Sequence, residues 1–267
     1  MTDLLVVNDL SVQYAGTSRP SISGVSMTLA AGEVVGVVGE SGSGKTTLGS
    51  ALLGLLPQGA RVEGSATFEG LEILGAPERV LRPLRGIKLS TIVQNPATAL
   101  NPSFSIGSQM IALLRRHLGL SKVEAREYAI HWLGRVGIGD PERRMSSHSH
   151  QLSGGMNQRV VIAMALALSP RLVIADEPTS ALDVTVQAAI LQLINDLIAE
   201  SGSSMVLITH DLGVVAQMCS RVVVMRDGAV VETGDVDQIF HAPRTDYTRH
   251  LLASQPSPRT LEELTDD

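Results

Sequence analysis

The segment 39–46 combines small, flexible residues with one cation and one hydroxyl: it reads Gly-Glu-Ser-Gly-Ser-Gly-Lys-Thr. Glycines allow successive backbone N–H groups to turn inward and form a nest for an anion. Lys45, one of only three lysines in the chain, adds a point charge for the β- and γ-phosphates of a nucleotide, and the Thr46 hydroxyl suits Mg²⁺. The segment therefore predicts a phosphate cradle, to which we assign Gly39, Ser41, Gly42, Ser43, Gly44, Lys45, Thr46 and Thr47.

Two acidic residues, Asp176 and Glu177, follow the short apolar run 172–175. A buried parallel strand would deliver Asp176 at its carboxyl end, beside the phosphate cradle. Asp176 then fits the role of a Mg²⁺ ligand, and Glu177 fits that of the base that polarises an attacking water. Such an acid pair is common in proteins, so it gains meaning only together with the cradle.

A second anion-binding signal, Leu-Ser-Gly-Gly-Met at 152–156, precedes a long apolar helix pattern. Ser153 is a good N-cap, and Gly154 and Gly155 would let a ligand approach the backbone at the helix N-terminus. Because one nucleotide needs only one cradle, this second site would serve the nucleotide of another chain. An ordinary helix cap is the alternative on these residues alone.

The elements that would position these groups alternate between strand and helix, which predicts an α/β fold. The Asp-Gly pair at 227–228 is a hairpin signal, and the mainly helical segment 76–151, broken at Asn-Pro and Asp-Pro, is interpreted as a helical insert. Strand patterns occur at 4–12, 25–29, 33–38, 62–68, 172–175, 205–209, 221–225 and 229–232. Helix patterns occur at 45–56, 110–118, 123–136, 154–168 and 184–199.

The composition excludes several other classes of protein. A net charge of −6 and an aromatic content of 3% argue against nucleic acid binding. The single cysteine, Cys219, excludes an intramolecular disulfide and an all-cysteine metal site. His148 and His150 have no cysteine or acidic cluster beside them, which favours loop packing over a metal role. No apolar run approaches the roughly 20 residues of a membrane span.

With these residues in place, the sequence resembles the ATP-binding subunits of ABC transporters from about residue 4 to residue 253. The resemblance is carried by the order and spacing of 39–46, Gln94, 152–156, 172–177, 180–183 and His210. It implies a P-loop NTPase (RecA-like) core with an antiparallel β subdomain and a helical insert, with ATP and Mg²⁺ as ligands and ATP hydrolysis as the activity. It implies one domain over 1–253, with the core in 1–75 and 152–240, the insert in 76–151 and a short C-terminal tail in 241–267.

The resemblance also implies residue roles that spacing does not show. Tyr14 would stack on adenine, Gln94 would contact Mg²⁺ or the lytic water, and His210 would hold the γ-phosphate and that water. Ser153, Gly154 and Gly155 would close on the Lys45 site of a second subunit, and Asp183 would cross the interface. The expected catalytic residues are Glu177, His210 and Gln94, and the expected magnesium ligands are Thr46, Gln94 and Asp176.

Within that family, the sequence is similar to the peptide and nickel importer subgroup at 39–45, 94–102, 150–156, 174–186 and 242–252. This similarity implies uptake of short peptides, nickel or other metal chelates through separate permease subunits, at the cytoplasmic face of the bacterial inner membrane. The implied partners are a second cassette, identical or paralogous, and indirectly an extracytoplasmic substrate-binding protein. The alternatives are an exporter subunit and a cassette protein that acts on DNA or the ribosome.

Overall fold

The computed structural model describes residues 3–180 and 182–254, and these residues form two β-sheets with helices around them. Among the described residues there is no helix with the length and apolar character needed to cross a membrane. The acidic segment after Pro256, which the sequence suggests is loose, lies outside the described residues.

The smaller sheet is antiparallel, with its strands in the spatial order β2-β1-β4-β5. Its alternating buried and exposed positions on β1 are typical of a sheet with one face on the core. The four strands are β1 (Asp3–Gln13), β2 (Ile22–Ala30), β4 (Arg61–Phe68) and β5 (Leu71–Glu72).

The larger sheet has the order β10-β9-β3-β8-β7-β6, and its strands are parallel except for the edge strand β10. Its central strands are almost continuously apolar and buried, because helices cover one face and α1 (Lys45–Leu52) with the smaller sheet covers the other. The strands are β3 (Val34–Val38), β6 (Leu89–Ile92), β7 (Leu172–Asp176), β8 (Ser204–Ile208), β9 (Arg221–Arg226) and β10 (Ala229–Asp235).

Helices follow most of these strands and form the layers around the larger sheet. They are α1 (Lys45–Leu52), α2 (Glu78–Leu81), α3 (Pro96–Ala99), α4 (Ile106–Leu118), α5 (Lys122–Arg135), α6 (Pro141–Arg144), α7 (Gly154–Leu166), α8 (Val184–Ser201), α9 (Leu212–Met218), α10 (Val236–His241) and α11 (Asp246–Ala253). The predicted helix at 45–56 ends earlier, at Leu52, because Gly54 adopts a left-handed φ of 61°.

Three apolar clusters hold the layers together. One lies between the smaller sheet, α1 and the larger sheet, and includes Phe68 and Leu48. A second joins α4, α5, α7 and α8 to β7 and includes Trp132. The third packs α9, α10 and α11 on β9 and includes Tyr247 and Leu251. The antiparallel sheet and the helical layer therefore both pack on the larger sheet.

The helical insert predicted for 76–151 is wrong in its first part. Leu89–Ile92 forms β6, which pairs in parallel with β7 at the edge of the larger sheet. The helical layer therefore begins only after Gln94, which itself lies just beyond the end of β6. The four-residue strand has its partner about 80 positions later in the chain, so local patterning did not reveal it.

The predicted C-terminal tail at 241–267 also contains ordered structure. Thr245 caps α11 by accepting a hydrogen bond from the backbone N–H of Thr248 at 3.2 Å, and Tyr247 and Leu251 are buried against the core. The predicted 227–228 hairpin is confirmed, since β9 and β10 pair in antiparallel register around Asp227 and Gly228. Both turn residues have positive φ, as a two-residue hairpin turn requires.

Candidate nucleotide and catalytic site

The phosphate cradle connects β3 to α1, and two of its glycines sit where no other residue fits. At Gly39 (φ 152°), an added Cβ would lie 2.1 Å from the Met225 carbonyl oxygen on β9. At Gly44 (φ 98°), it would lie 2.5 Å from Ile22 Cγ2. The neighbouring strands therefore leave room only for glycine at these two positions, and glycine allows the curved backbone that a phosphate nest requires.

Lys45 is held at the mouth of this loop. Its Nζ donates hydrogen bonds to the carbonyl oxygens of Gly39 (2.7 Å) and Glu40 (2.8 Å), and only 6% of the residue is exposed. Burial lowers the pKa of the ammonium, and the charges of Glu177 and Asp176 partly oppose that change. The loop carbonyls thus orient a desolvated cation toward the acidic side of the cleft.

A cleft of about 530 Å³ brings most of the predicted ligand-binding residues together. The loop forms one wall, the ends of β6 and β7 form another, and the β9–β10 turn closes one side. Its lining residues are Pro20, Ser21, Ser41, Gly42, Gly44, Lys45, Thr46, Thr47, Gln94, Asp176, Glu177, Asp227 and Gly228.

The side chains of Thr46 and Asp176 meet inside this cleft. Burial raises the pKa of Asp176, while a hydrogen bond from Thr46 and the charge of Lys45 act in the opposite direction. A hydroxyl and a carboxylate that converge beside the phosphate loop are hard oxygen ligands of the kind Mg²⁺ takes. The residues present therefore fit the ion that the sequence predicts, with Gln94 on the same cleft wall.

Glu177 is clamped between two side chains from neighbouring strand ends. Its Oε2 accepts a hydrogen bond from Gln94 Nε2 at 3.1 Å, and its Oε1 lies 2.9 Å from His210 Nδ1. Its backbone has a φ of 45°, and its N–H donates to the carbonyl of Ile208 at 2.8 Å, which ties β7 to β8. The three predicted catalytic residues thus form one contiguous cluster.

Tyr14 lies beside the phosphate loop, because its hydroxyl is 3.1 Å from Thr47 Oγ1. The hydroxyl contact therefore links the Tyr14 ring to the phosphate cradle. Stacking of this ring on adenine stays a prediction.

Ser153, Gly154 and Gly155 lie at the start of α7, outside the cleft that contains Lys45. The Ser153 hydroxyl caps the helix by accepting from the N–H of Met156 at 3.3 Å. Asp183 likewise caps α8 by accepting from the N–H of Val186 at 3.0 Å. The Ser153 cap is as the sequence indicates, and the Asp183 cap was not predicted. A role of these residues toward another chain's nucleotide stays a prediction.

Two residues hold the cleft together although sequence reasoning gave them no role in the site. Gln158 is 1% exposed and its Nε2 donates to the carbonyls of Pro178 (2.7 Å) and Val93 (3.4 Å), next to Glu177 and Gln94. Gly228 donates its N–H to the Ser43 carbonyl (3.2 Å) and accepts from the N–H of Ser23 (2.8 Å). The sequence signal for Gln158 was a polar residue within an otherwise apolar helix pattern, and buried polar side chains need hydrogen-bond partners.

His148 and His150 stack their rings at 5.5 Å between centroids. Within the described part of the chain, no group of three or more histidine, cysteine or acidic residues is placed to hold a metal ion.

Comparisons with known proteins give the family of this chain. The ABC transporter family model matches residues 22–180. The peptidoglycan transport ATP-binding protein YejF of Agrobacterium fabrum is 49% identical over 257 residues, which are 95% of this chain and 47% of that protein. The oligopeptide transport ATP-binding protein OppD of Salmonella typhimurium is 48% identical over 255 residues, which are 95% of this chain and 76% of that protein.

Solved structures give the same result. A dimeric, post-hydrolysis structure of the ATP-binding cassette MJ0796 with ADP and Pi matches with a TM-score of 0.77 and 28% identity, over 87% of this chain and 98% of that one. The chain therefore belongs to the ABC transporter family, and it is an ATP-hydrolysing cassette of that family. It spans about half of the length of the Agrobacterium relative and about three quarters of the Salmonella one.

Proposed function

We propose that this chain is the ATPase subunit of an importer of short peptides, peripheral to the cytoplasmic face of the membrane. The observation that carries the ATPase mechanism is the clamp of Gln94 and His210 on Glu177, across the cleft from Lys45. The peptide substrate is supported by the two transport relatives, whose names refer to oligopeptides and peptidoglycan. Neither name refers to nickel, so peptides replace the broader substrate range that the sequence implies.

The residues divide the work of hydrolysis between binding and proton transfer. The nest N–H groups and Lys45 bind the β- and γ-phosphates, while Thr46 and Asp176 would hold Mg²⁺ with Gln94. Bound Mg²⁺ supplies neutralisation of the charge on the phosphate oxygens. Glu177 accepts the proton of the attacking water at a carboxylate oxygen, and Gln94 and His210 fix the direction of that carboxylate.

A complete site needs a second cassette. Ser153 and Gly155 lie at a helix N-terminus outside the lining of the chain's own cleft, so they are suited to the γ-phosphate of a partner's nucleotide. The MJ0796 cassette is a dimer in its solved structure, which supports this arrangement. ATP then stabilises the closed pair, hydrolysis releases it, and the motion is transmitted to separate permease subunits.

Glu177→Gln tests the assigned base. The amide keeps the side chain's size and its contact with Gln94 but cannot accept a proton, so ATP turnover should fall at least about 100-fold, within the range of general base catalysis. ATP affinity should stay within about twofold, because Glu177 is not part of the phosphate nest. Turnover is measured by phosphate release and affinity by titration with a fluorescent ATP analogue; unchanged turnover would remove Glu177 from the role.

Reconstitution tests the importer function. The chain is combined in liposomes with the permease, binding protein and any second cassette encoded beside its gene. Uptake of a labelled tripeptide should require ATP on the cassette side and should be lost with Glu177→Gln. ATP-driven efflux of the peptide, or uptake of nickel without peptide uptake, would contradict the proposal.

A further inference from the structure

The helix α11 contacts the phosphate loop through a side chain that is not part of the lining of the nucleotide cleft. Tyr247 on α11 is 8% exposed, and its hydroxyl accepts a hydrogen bond from the backbone N–H of Glu40, within the loop, at 3.2 Å. The guanidinium of Arg226 lies 4.9 Å from the centre of the Tyr247 ring. The tyrosine is therefore fixed by packing and by a cation, and it presents its hydroxyl to the loop.

The peptide groups before and after Glu40 are both restrained by contacts with side chains. The N–H of Glu40 donates to Tyr247, and its carbonyl accepts from Lys45 Nζ at 2.8 Å. A shift of Glu40 would change the position of one of the two carbonyls that orient the Lys45 ammonium. The Tyr247 hydroxyl is thus connected to the Lys45 ammonium through a single residue, Glu40.

The end of α11 also borders the catalytic cluster. A cavity of about 420 Å³ is lined by Glu177 and His210, by Leu251 and Ser254, and by the first residues of the loop. The segment that follows the cassette core therefore forms part of the site's surroundings.

The start of α11 is anchored by a buried carboxylate. Glu232 on β10 accepts hydrogen bonds from the backbone N–H groups of Arg244 (2.8 Å) and Thr245 (3.1 Å) and from the Thr245 hydroxyl (3.0 Å). These contacts fix the position and direction of the helix, because its first turn cannot slide without breaking them. The position of Tyr247, two residues after Thr245, is therefore fixed as well.

We propose that Tyr247 is a positioning residue that holds the phosphate loop ready for ATP through the N–H of Glu40. The inference rests on the proposed ATPase function of the same site. Without the hydroxyl, the Glu40 N–H loses its acceptor and the loop is less ordered in the free protein. Ordering the loop on binding then lowers the affinity for ATP. The C-terminal helix then sets ATP affinity although it does not touch the nucleotide.

Tyr247→Phe tests this role, with Tyr128→Phe as the matched control. Both variants keep the ring and remove one partly buried hydroxyl; that of Tyr128 donates to the Ala167 carbonyl at 3.2 Å, in the helical layer. Loss of one hydrogen bond is expected to raise the KM for ATP and the Kd of the fluorescent ATP analogue about fivefold. The kcat should stay within about twofold, since Tyr247 has no hydrogen bond to Glu177 or His210.

The control separates positioning from stability. Tyr128→Phe should leave the Kd and KM within about twofold of the original chain, while the thermal unfolding midpoints of the two variants should be similar. A Kd for Tyr247→Phe equal to that of Tyr128→Phe, or a fall in kcat without a rise in KM, would overturn the inference alone. Failure of the unmodified chain to bind the ATP analogue with Mg²⁺ would instead overturn the proposed function.

Discussion

At the scale of single residues, the site depends on side chains whose positions are fixed before ligand arrives. Glu177 is held by Gln94 and His210, and Lys45 is held by two loop carbonyls. Groups that are already oriented lose less conformational entropy when the transition state forms. A change that disturbs the backbone beneath these side chains should therefore be as harmful as removal of a side chain.

Gly44→Ala tests this backbone requirement against Gly42→Ala. Both positions have positive φ (98° and 83°), so both alanines carry the same type of backbone strain. Only at Gly44 does the new Cβ meet neighbours, with Ile22 Cγ2 at 2.5 Å and the Ser21 carbonyl oxygen at 2.8 Å. Gly44→Ala should lower the free energy of unfolding by about 2 kcal/mol more than Gly42→Ala. Urea unfolding measures the difference, and equal losses would contradict it.

At the scale of elements, the carboxyl ends of β6 and β7 are joined through α7. Gln158 on α7 donates to carbonyls on both sides of the catalytic pair, at Val93 and at Pro178. Because each of these carbonyls neighbours a catalytic residue, we expect a rotation of α7 to move Gln94 and Glu177 together. The helical layer is therefore coupled to the catalytic cluster through one buried amide.

Glu232→Gln tests the anchor of α11 and its pH dependence. Burial opposes the charge of Glu232, but hydrogen bonds from Thr248, Arg244, Gln238 and Thr245 lower its pKa to about 2. Since the ordinary pKa is 4.5, the stabilisation is complete above about pH 5 and is lost as the pH falls toward 2. The variant should cost about 2 kcal/mol of unfolding free energy at pH 7 and much less at pH 3.

A carboxylate on β5 provides the control for that experiment. Glu72 Oε1 also accepts two backbone N–H groups, those of Ala66 and Leu74, but the residue is exposed. Glu72→Gln should cost less than about 1 kcal/mol at pH 7, because water can replace the lost contacts. A cost for Glu232→Gln that does not shrink at low pH would show that the charge is not what anchors the helix.

At the scale of the whole molecule, the second half of the site is proposed to lie on another chain. Ser153→Arg places a bulky side chain at the exposed start of α7, away from the cleft that contains Lys45. In a Glu177→Gln background, ATP should drive dimer formation of the chain, alone or with its paralogue. Adding Ser153→Arg should abolish that dimer while the Kd for ATP stays within about twofold. Light scattering after gel filtration measures the dimer, and an undiminished dimer would contradict the assignment.

The sequence predicts those parts of the fold and site whose chemistry is local. The cradle from Gly39 to Thr46 and the acid pair after β7 are contiguous motifs, so spacing alone identifies them. The strand β6 was missed because its pairing is with a distant segment. Gln158 and Tyr247 were missed because their functions depend on which distant backbone groups they reach. Such tertiary contacts leave no periodic signal in the chain.

The turn residue Gly228 connects three parts of the molecule. Its backbone is hydrogen-bonded to Ser43 in the loop and to Ser23 in β2, so it connects the phosphate loop, the β9–β10 turn and the smaller sheet. We expect a partner that moves the helical layer, which is bonded to Val93 and Pro178 through Gln158, to disturb Gln94 and Glu177 before it disturbs the residues that bind phosphate. Such a partner would stop hydrolysis while ATP stays bound.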